Sequence, residues 1–218
     1  DVVRRVVPLD DFRGDTVNVR FLQHMGAASG VRRFTVDDLA VGAPGYGSGA
    51  GAVARFFGVS GVGLDPAGTS MIISNLIGVA VATAGDGFGL ALAVGDFDGD
   101  GVDDLAIGAP GRLDGRGQVV VRFADDSATS LDQDFTNWTV AAPGDRFGAS
   151  LAAADFDADG YSDLAVGTPG DSLGAGVVDV IRGHAAGFDA PVPILDVRQT
   201  QRWHQSLVGF SGTGGTEA

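Results

Sequence analysis

One segment of this chain occurs twice. The 25 residues from Asp86 to Pro110 return from Asp145 to Pro169 at an offset of 59 residues, with no gap. Asp37 to Pro44 is a third copy of the segment's end, 66 residues before Pro110. A period of this length means stacked supersecondary units, each too small to bury its own apolar face. The ends of the chain carry fainter copies. Asp1 to Phe21 can be laid on Asp103 to Phe123, keeping Pro8 on Pro110, and Gln201 to Leu207 on Asp145 to Leu151. On that alignment the sequence begins and ends in mid-repeat.

Within a repeat the pattern predicts short strands at Phe147 to Ala154, Asp163 to Gly167 and Val177 to Ile181, with a fourth at Phe135 to Ala141. Each is bounded by Gly, Pro or Asp, and Leu105 and Ile107 alternate with Ala106 and Gly108. Four antiparallel strands in about 60 residues describe a blade of a β-propeller. The expected fold is therefore all-β and a single domain. Blades cover 22–80, 81–141 and 142–195, and a composite blade joins 196–218 to 1–21, which hides the edges of an open array. One interval does not fit: Phe123 to Asp163 spans 40 residues but Phe21 to Asp38 only 17, so about 23 residues of the expected pattern are missing near Gly26 to Gly30.

Composition narrows the chemistry. All 14 basic residues are Arg, and the 28 acids are 27 Asp and Glu217. Asp and the 36 Gly favour turns, and the absent Lys removes a Walker loop or Schiff base. With no Cys there is no disulfide or thiolate site. A net charge of -14 argues against nucleic-acid binding and for cations as partners. The longest largely apolar run, Met71 to Ala84, is interrupted by Ser74, Asn75 and Gly78, so no membrane insertion is expected.

The cations have an evident place. Asp96-Phe-Asp-Gly-Asp-Gly-Val-Asp-Asp104 and Asp155-Phe-Asp-Ala-Asp-Gly-Tyr-Ser-Asp163 set carboxylates at positions 1, 3, 5 and 9 and a carbonyl at position 7. The expected ligands are Asp96, Asp98, Asp100, Val102 and Asp104 in one loop, and Asp155, Asp157, Asp159, Tyr161 and Asp163 in the other. An all-oxygen set on a flexible loop suits Ca²⁺ better than Mg²⁺ or Zn²⁺, so two structural Ca²⁺ ions are expected. Position 12 is Ile107 or Val166 rather than Glu, which excludes an EF-hand. The stretch Gly30 to Asp38 keeps only the last Asp, and no ion is expected there.

Phe88-Gly89 and Phe147-Gly148, the loops above, and Gly42-Ala43-Pro44, Gly108-Ala109-Pro110 and Gly167-Thr168-Pro169 together resemble the FG-GAP repeat of integrin α-subunit propellers and related bacterial proteins. The resemblance implies a propeller whose Ca²⁺ loops are structural and lie opposite the ligand face. Such propellers usually have seven blades and this chain has material for about four. That leaves a closed four-bladed monomer, a homodimer pooling eight blades, or an incomplete piece.

The opposite face carries the turns after Pro44, Pro110 and Pro169 and the blade junctions. There Tyr46, Arg112 and Asp171 occupy one equivalent position, so the scaffold repeats and this position does not. The expected ligand-binding residues are Tyr46, Arg112, Asp114, Arg146, Asp171, Arg202 and Trp203. The leading reading is a binding or adhesion module for a protein, glycan or small-molecule ligand, extracellular or at the cell surface. The alternative is a cytoplasmic enzyme of cyclase, lyase or hydrolase type with its acid and base among Tyr46, Asp114, Asp171 and His204, although no nucleophile elbow is present. Arg13-Gly14-Asp15 aligns with a glycine-rich turn, and Asn137-Trp138-Thr139 is a sequon without meaning in a bacterial protein. The Arg-without-Lys, Ala/Gly/Val/Asp-rich composition points to a high-GC bacterial genome.

Overall fold

The computed structural model describes residues 18–22, 38–59, 63–72, 83–136, 140–188 and 200–204, with side chains described for 39–58, 83–136, 140–188 and 200–204. Arg13 to Asp15, His24, the loop before Asp38 and Asn137 to Thr139 lie outside the described residues. So does the interval near Gly26 to Gly30.

Among the described residues twelve strands form three antiparallel sheets of four, each a meander. The first holds β1 (Asn18–Leu22), β2 (Asp38–Ala43), β3 (Ala52–Val59) and β4 (Gly63–Ile72). The second holds β5 (Leu92–Gly95), β6 (Asp104–Ala109), β7 (Gln118–Arg122) and β8 (Ala128–Leu131), and the third β9 (Ser150–Ala154), β10 (Asp163–Thr168), β11 (Val177–Ile181) and β12 (Thr200–His204). The first strands neighbour one another, β5 against both β1 and β9. The fold is all-β, and these sheets are propeller blades.

The alternation along the second strand gives each blade a large face and a small one. In blade two Leu105 and Ile107 pack with Ala40 and Val53 of blade one, whereas Ala106 joins the cluster shared with Leu164 and Val166 of blade three. The small face leaves room for the aromatic ring that opens the following blade. Phe88 is 1% exposed in the first interface and Phe147 0% in the second. Backbone bonds lock each ring in place: Phe88 donates its amide to Ala50 at 3.1 Å, and Phe147 to Arg116 at 2.9 Å. Parallel bridges Gly51↔Phe88 and Gly117↔Phe147 complete the joint.

This packing explains the two glycine motifs. A Cβ built on Gly42 would strike the carbonyl oxygen of Gly89, and one on Gly108 the carbonyl of Gly148. The Gly of each Gly-Ala-Pro therefore exists so that the Gly of the next Phe-Gly can approach its backbone. Gly108→Ala is expected to destabilise by about 2–3 kcal/mol through overpacking against rigid backbone. Urea unfolding checks this, and a change below about 0.5 kcal/mol would show that the blades separate without strain.

Three expectations need correction. The fourth strand of blade two is Ala128–Leu131, not Phe135 to Ala141, because Asp125, Asp126 and Ser127 close a tight hairpin in which Phe123 donates to Ser127 at 2.9 Å. Residues 133–136 form a helical turn, with the Asp132 carboxylate accepting from the Phe135 amide.

The composite blade is also absent from the described strands. Residues 200–204 pair with β11 as the outer strand of blade three, where Asp179 and Arg202 face each other across the ladder. At the other end, Asn18–Leu22 is the first strand of blade one, paired with β2, and not a third strand. Because Asn18–Leu22 and Asp38–Ala43 are neighbouring strands of one blade, the interval from Phe21 to Asp38 is not the counterpart of the one from Phe123 to Asp163. The described residues thus hold three blades rather than four.

Candidate metal centre

Each nine-residue loop joins the first strand of a blade to the second, in blades two and three. Asx-type bonds fold the loop on itself. Asp96 accepts from Gly99 (2.7 Å) and Gly101 (3.0 Å), Asp98 from Asp100, and Asp100 from Val102. Asp155 likewise accepts from Asp159 and Gly160, Asp157 from Asp159, and Asp159 from Tyr161. The position-9 carboxylates anchor the loops below: Asp104 accepts from Phe97 and Ala124, and Asp163 from Phe156 and Gly183. In each loop one anchoring amide lies 7 residues upstream, at Phe97 or Phe156, and the other 20 residues downstream, at Ala124 or Gly183, so the repeat includes this anchor.

The folding brings carboxylates together in two different sets. Asp96, Asp98 and Asp104 offer oxygens within 4.8 Å of one another in the first loop, and Asp155, Asp157 and Asp159 do so in the second. Asp100 and Asp163 were expected in the same sets but stand outside these triples. Three close carboxylates repel, and burial deepens the cost of ionising them. Burial, reinforced by Asp98 and Asp100 and opposed by the amides of Phe97 and Ala124, pushes Asp104 up to about 7. Burial also raises Asp98 and Asp163 above the usual carboxylate range. A hard divalent cation would replace that repulsion with attraction, and the all-oxygen donor set fits such an ion. The carbonyls of Val102 and Tyr161 remain candidates at position 7.

The opposite face repeats one turn three times. The amides of Gly51, Gly117 and Gly176 donate to the carbonyls of Tyr46, Arg112 and Asp171. The three side chains at that position have separate fates. Tyr46 is 38% exposed. Arg112 is buried and pairs with Asp86 at 3.2 Å. Asp171 is buried, accepting from Gln133 at 2.9 Å and pairing with Arg202 at 3.0 Å. Arg202 also holds Asp179 through Nε and Nη2 at 2.7 and 2.8 Å.

Of the seven expected ligand residues, Arg112, Asp171 and Arg202 are therefore occupied inside the scaffold. Tyr46, Asp114, Arg146 and Trp203 stay exposed. A cavity of about 560 Å³ at the edge of blade three is lined by Trp203, His204, Val178 and Pro169 among others, and by none of Tyr46, Asp114 and Asp171.

Two contributors escaped the sequence reading. Arg182 pairs with Asp157 at 2.9 Å, and Asp125 in the β7–β8 hairpin acts on Asp98 through its charge. Neither position repeats, so no periodic signal marks them. Among the described residues no helix is long and apolar enough to cross a membrane.

Comparison with known proteins bears on these loops. The FG-GAP repeat model matches residues 88–121 and 147–181, in each case from the buried Phe to the third strand. Integrin alpha-5 of Xenopus laevis is 33% identical over 139 residues, 59% of this chain and 13% of that protein. Integrin alpha-PS2 of Drosophila melanogaster is 41% identical over 80 residues, 36% of this chain and 5% of that protein. Phosphatidylinositol-glycan-specific phospholipase D of Rattus norvegicus is 34% identical over 172 residues, 73% and 20% respectively. The chain thus spans between 5% and 20% of these relatives' lengths. All three are animal proteins.

Proposed function

Taking as premise that this is an FG-GAP repeat protein similar to integrin α-subunits over its blades, we propose that it is a Ca²⁺-stabilised binding module of adhesion type. It works outside the cell or at its surface, and recognises a protein ligand on the face opposite its cation loops. The carrying observation is the pair of carboxylate triples, Asp96/Asp98/Asp104 and Asp155/Asp157/Asp159, each at a first-to-second-strand connection. Charge that would otherwise oppose folding becomes, with an ion, a clamp that closes the loop over the end of each blade. Binding would fall to Tyr46, Asp114, Arg146 and Trp203, which are free of the scaffold pairs that occupy Arg112, Asp171 and Arg202.

A second reading, a glycan or other small ligand, is favoured by the cavity beside Trp203 and His204. Stacking on an exposed indole is a usual way to hold such a molecule.

Calorimetric titration of metal-stripped protein should count about two Ca²⁺ per chain, with a melting temperature that rises with Ca²⁺, as linkage requires. Asp98→Ala and Asp157→Ala should each bind one ion fewer. Absence of both heat and thermal shift would sink the cation claim.

A further inference from the structure

The two cation loops have nearly the same sequence but different electrostatic settings. In the second loop both oxygens of Asp157, the position-3 carboxylate, have partners. Oδ1 accepts the Asp159 amide at 3.2 Å, and Oδ2 lies 2.9 Å from Nη1 of Arg182. Arg182 follows the last residue of β11, and both side chains are partly shielded, 29% and 21% exposed. Partial shielding weakens screening by solvent and salt, so the pair counts for more than a fully exposed one.

Among the described residues no arginine pairs with Asp98, its counterpart in the first loop. The residue 59 positions before Arg182 is Phe123, 5% exposed and part of the core. The nearby Arg122 pairs with Asp126 instead. Asp98 accepts the Asp100 amide on Oδ1, and the charge of Asp125 adds to the negative field around it. The first triple also includes a buried carboxylate, Asp104, whereas the second includes none. A third difference lies at position 8, which is Asp103 in the first loop and Ser162 in the second.

We propose that the two loops bind Ca²⁺ unequally and that Arg182 sets the difference, acting as a tethered counter-ion that an incoming cation must displace from Asp157. This rests on the cation reading above. The first loop, more negative and with a buried ligand, fills at the lower Ca²⁺ concentration. The second fills only when the ion outcompetes a guanidinium that stays attached nearby and continues to repel it. Arg182 is thus a positioning and tuning residue, not a ligand. Its effect on affinity should be the sum of a lost ion pair and a lasting repulsion, together about five- to tenfold.

The test is calorimetric titration of metal-free wild-type chain and of Arg182→Gln with Ca²⁺ alone as the probe. Wild type should show two steps. In Arg182→Gln the weaker step should tighten about five- to tenfold while the tighter one moves less than twofold. Arg182→Phe, which installs the blade-two residue, should do the same, and provides the test if the Gln variant folds poorly. In an Asp98→Asn background the tight step should vanish and the remaining one keep its sensitivity to Arg182. Two bound ions with a weaker step indifferent to both Arg182 variants would overturn this inference and leave the cation reading standing. Two equal wild-type sites would also overturn it. No bound ion at all would overturn both.

Discussion

Phe147→Ala should lower the unfolding free energy by about 3–5 kcal/mol, the usual cost of emptying a buried aromatic site. Several features place the effect at the top of that range. The ring is fully buried in the cluster that joins Val119 and Val121 of blade two to Leu164, Val166 and Ile181 of blade three. Its backbone is fixed by the bond to Arg116 and the bridge to Gly117, so the cavity cannot close by a shift of the chain. Domains of this kind have about 5–15 kcal/mol in total. The variant should therefore sit close to the folding threshold, and its urea midpoint should fall sharply. Phe147→Leu should recover more than half of the loss. A midpoint within about 1 kcal/mol of wild type for the Ala variant would mean that the two blades are not held by this ring.

Arg202→Ala should cost a similar amount, about 3–5 kcal/mol, for an electrostatic reason. The side chain of Arg202 is 7% exposed and serves Asp179, 0% exposed, and Asp171, 9% exposed. Removal leaves Asp179 charged, buried and without the guanidinium that compensates it. Burial already raises the Asp179 pKa, and only the Arg202 pair opposes it. Without that pair the carboxyl would rise further. A carboxyl raised in the folded state binds more protons there than unfolded, so stability increases as pH falls through the folded value. The loss should accordingly be smaller near pH 5 than near pH 8. Arg202→Lys should rescue little, since Lys lacks the planar fork that meets both Asp179 oxygens. The double variant Arg202→Met, Asp179→Leu should be clearly more stable than Arg202→Ala, because it removes the stranded charge. Equal loss at both pH values, or no gain from the double variant, would refute this account.

Much of the architecture could be read from the sequence because it repeats. The Phe-Gly and Gly-Ala-Pro motifs return with a fixed offset, and the structure brings them together as partners across blade interfaces. Phe88 and Phe147 fill the small faces, and Gly42 and Gly108 make room for Gly89 and Gly148. The two acidic loops were legible for the same reason, although equal spacing left open which three carboxylates meet: Asp96, Asp98 and Asp104 in one loop, Asp155, Asp157 and Asp159 in the other. Of the seven residues expected on the opposite face, Tyr46, Arg112 and Asp171 stand out because their shared position does not repeat, and that signal fails at two of them. At Arg112 and Asp171 the divergence reflects different internal ion pairs, with Asp86 in one blade and with Arg202 in the next.

The chain ends show the limit from another side. Gln201 to Leu207 resembles a first strand, but residues 200–204 serve as a fourth strand. A weak repeat match carries less free energy than the open edge of β11 and the Arg202–Asp179 pair across it.

What the sequence determined by itself is whatever depends on neighbours within one repeat: the all-β class, the blade period, the turn residues and the two acidic loops. Local spacing decides these, and the spacing recurs. Only the tertiary structure decided which strand each end supplies, which arginines are consumed inside the scaffold, and that Arg182 faces Asp157. The ion pairs among these form once each, between residues 23 to 31 positions apart. A contact that occurs once at such a distance leaves no periodic trace, and its partners are set by sheet order and by the cost of burying charge.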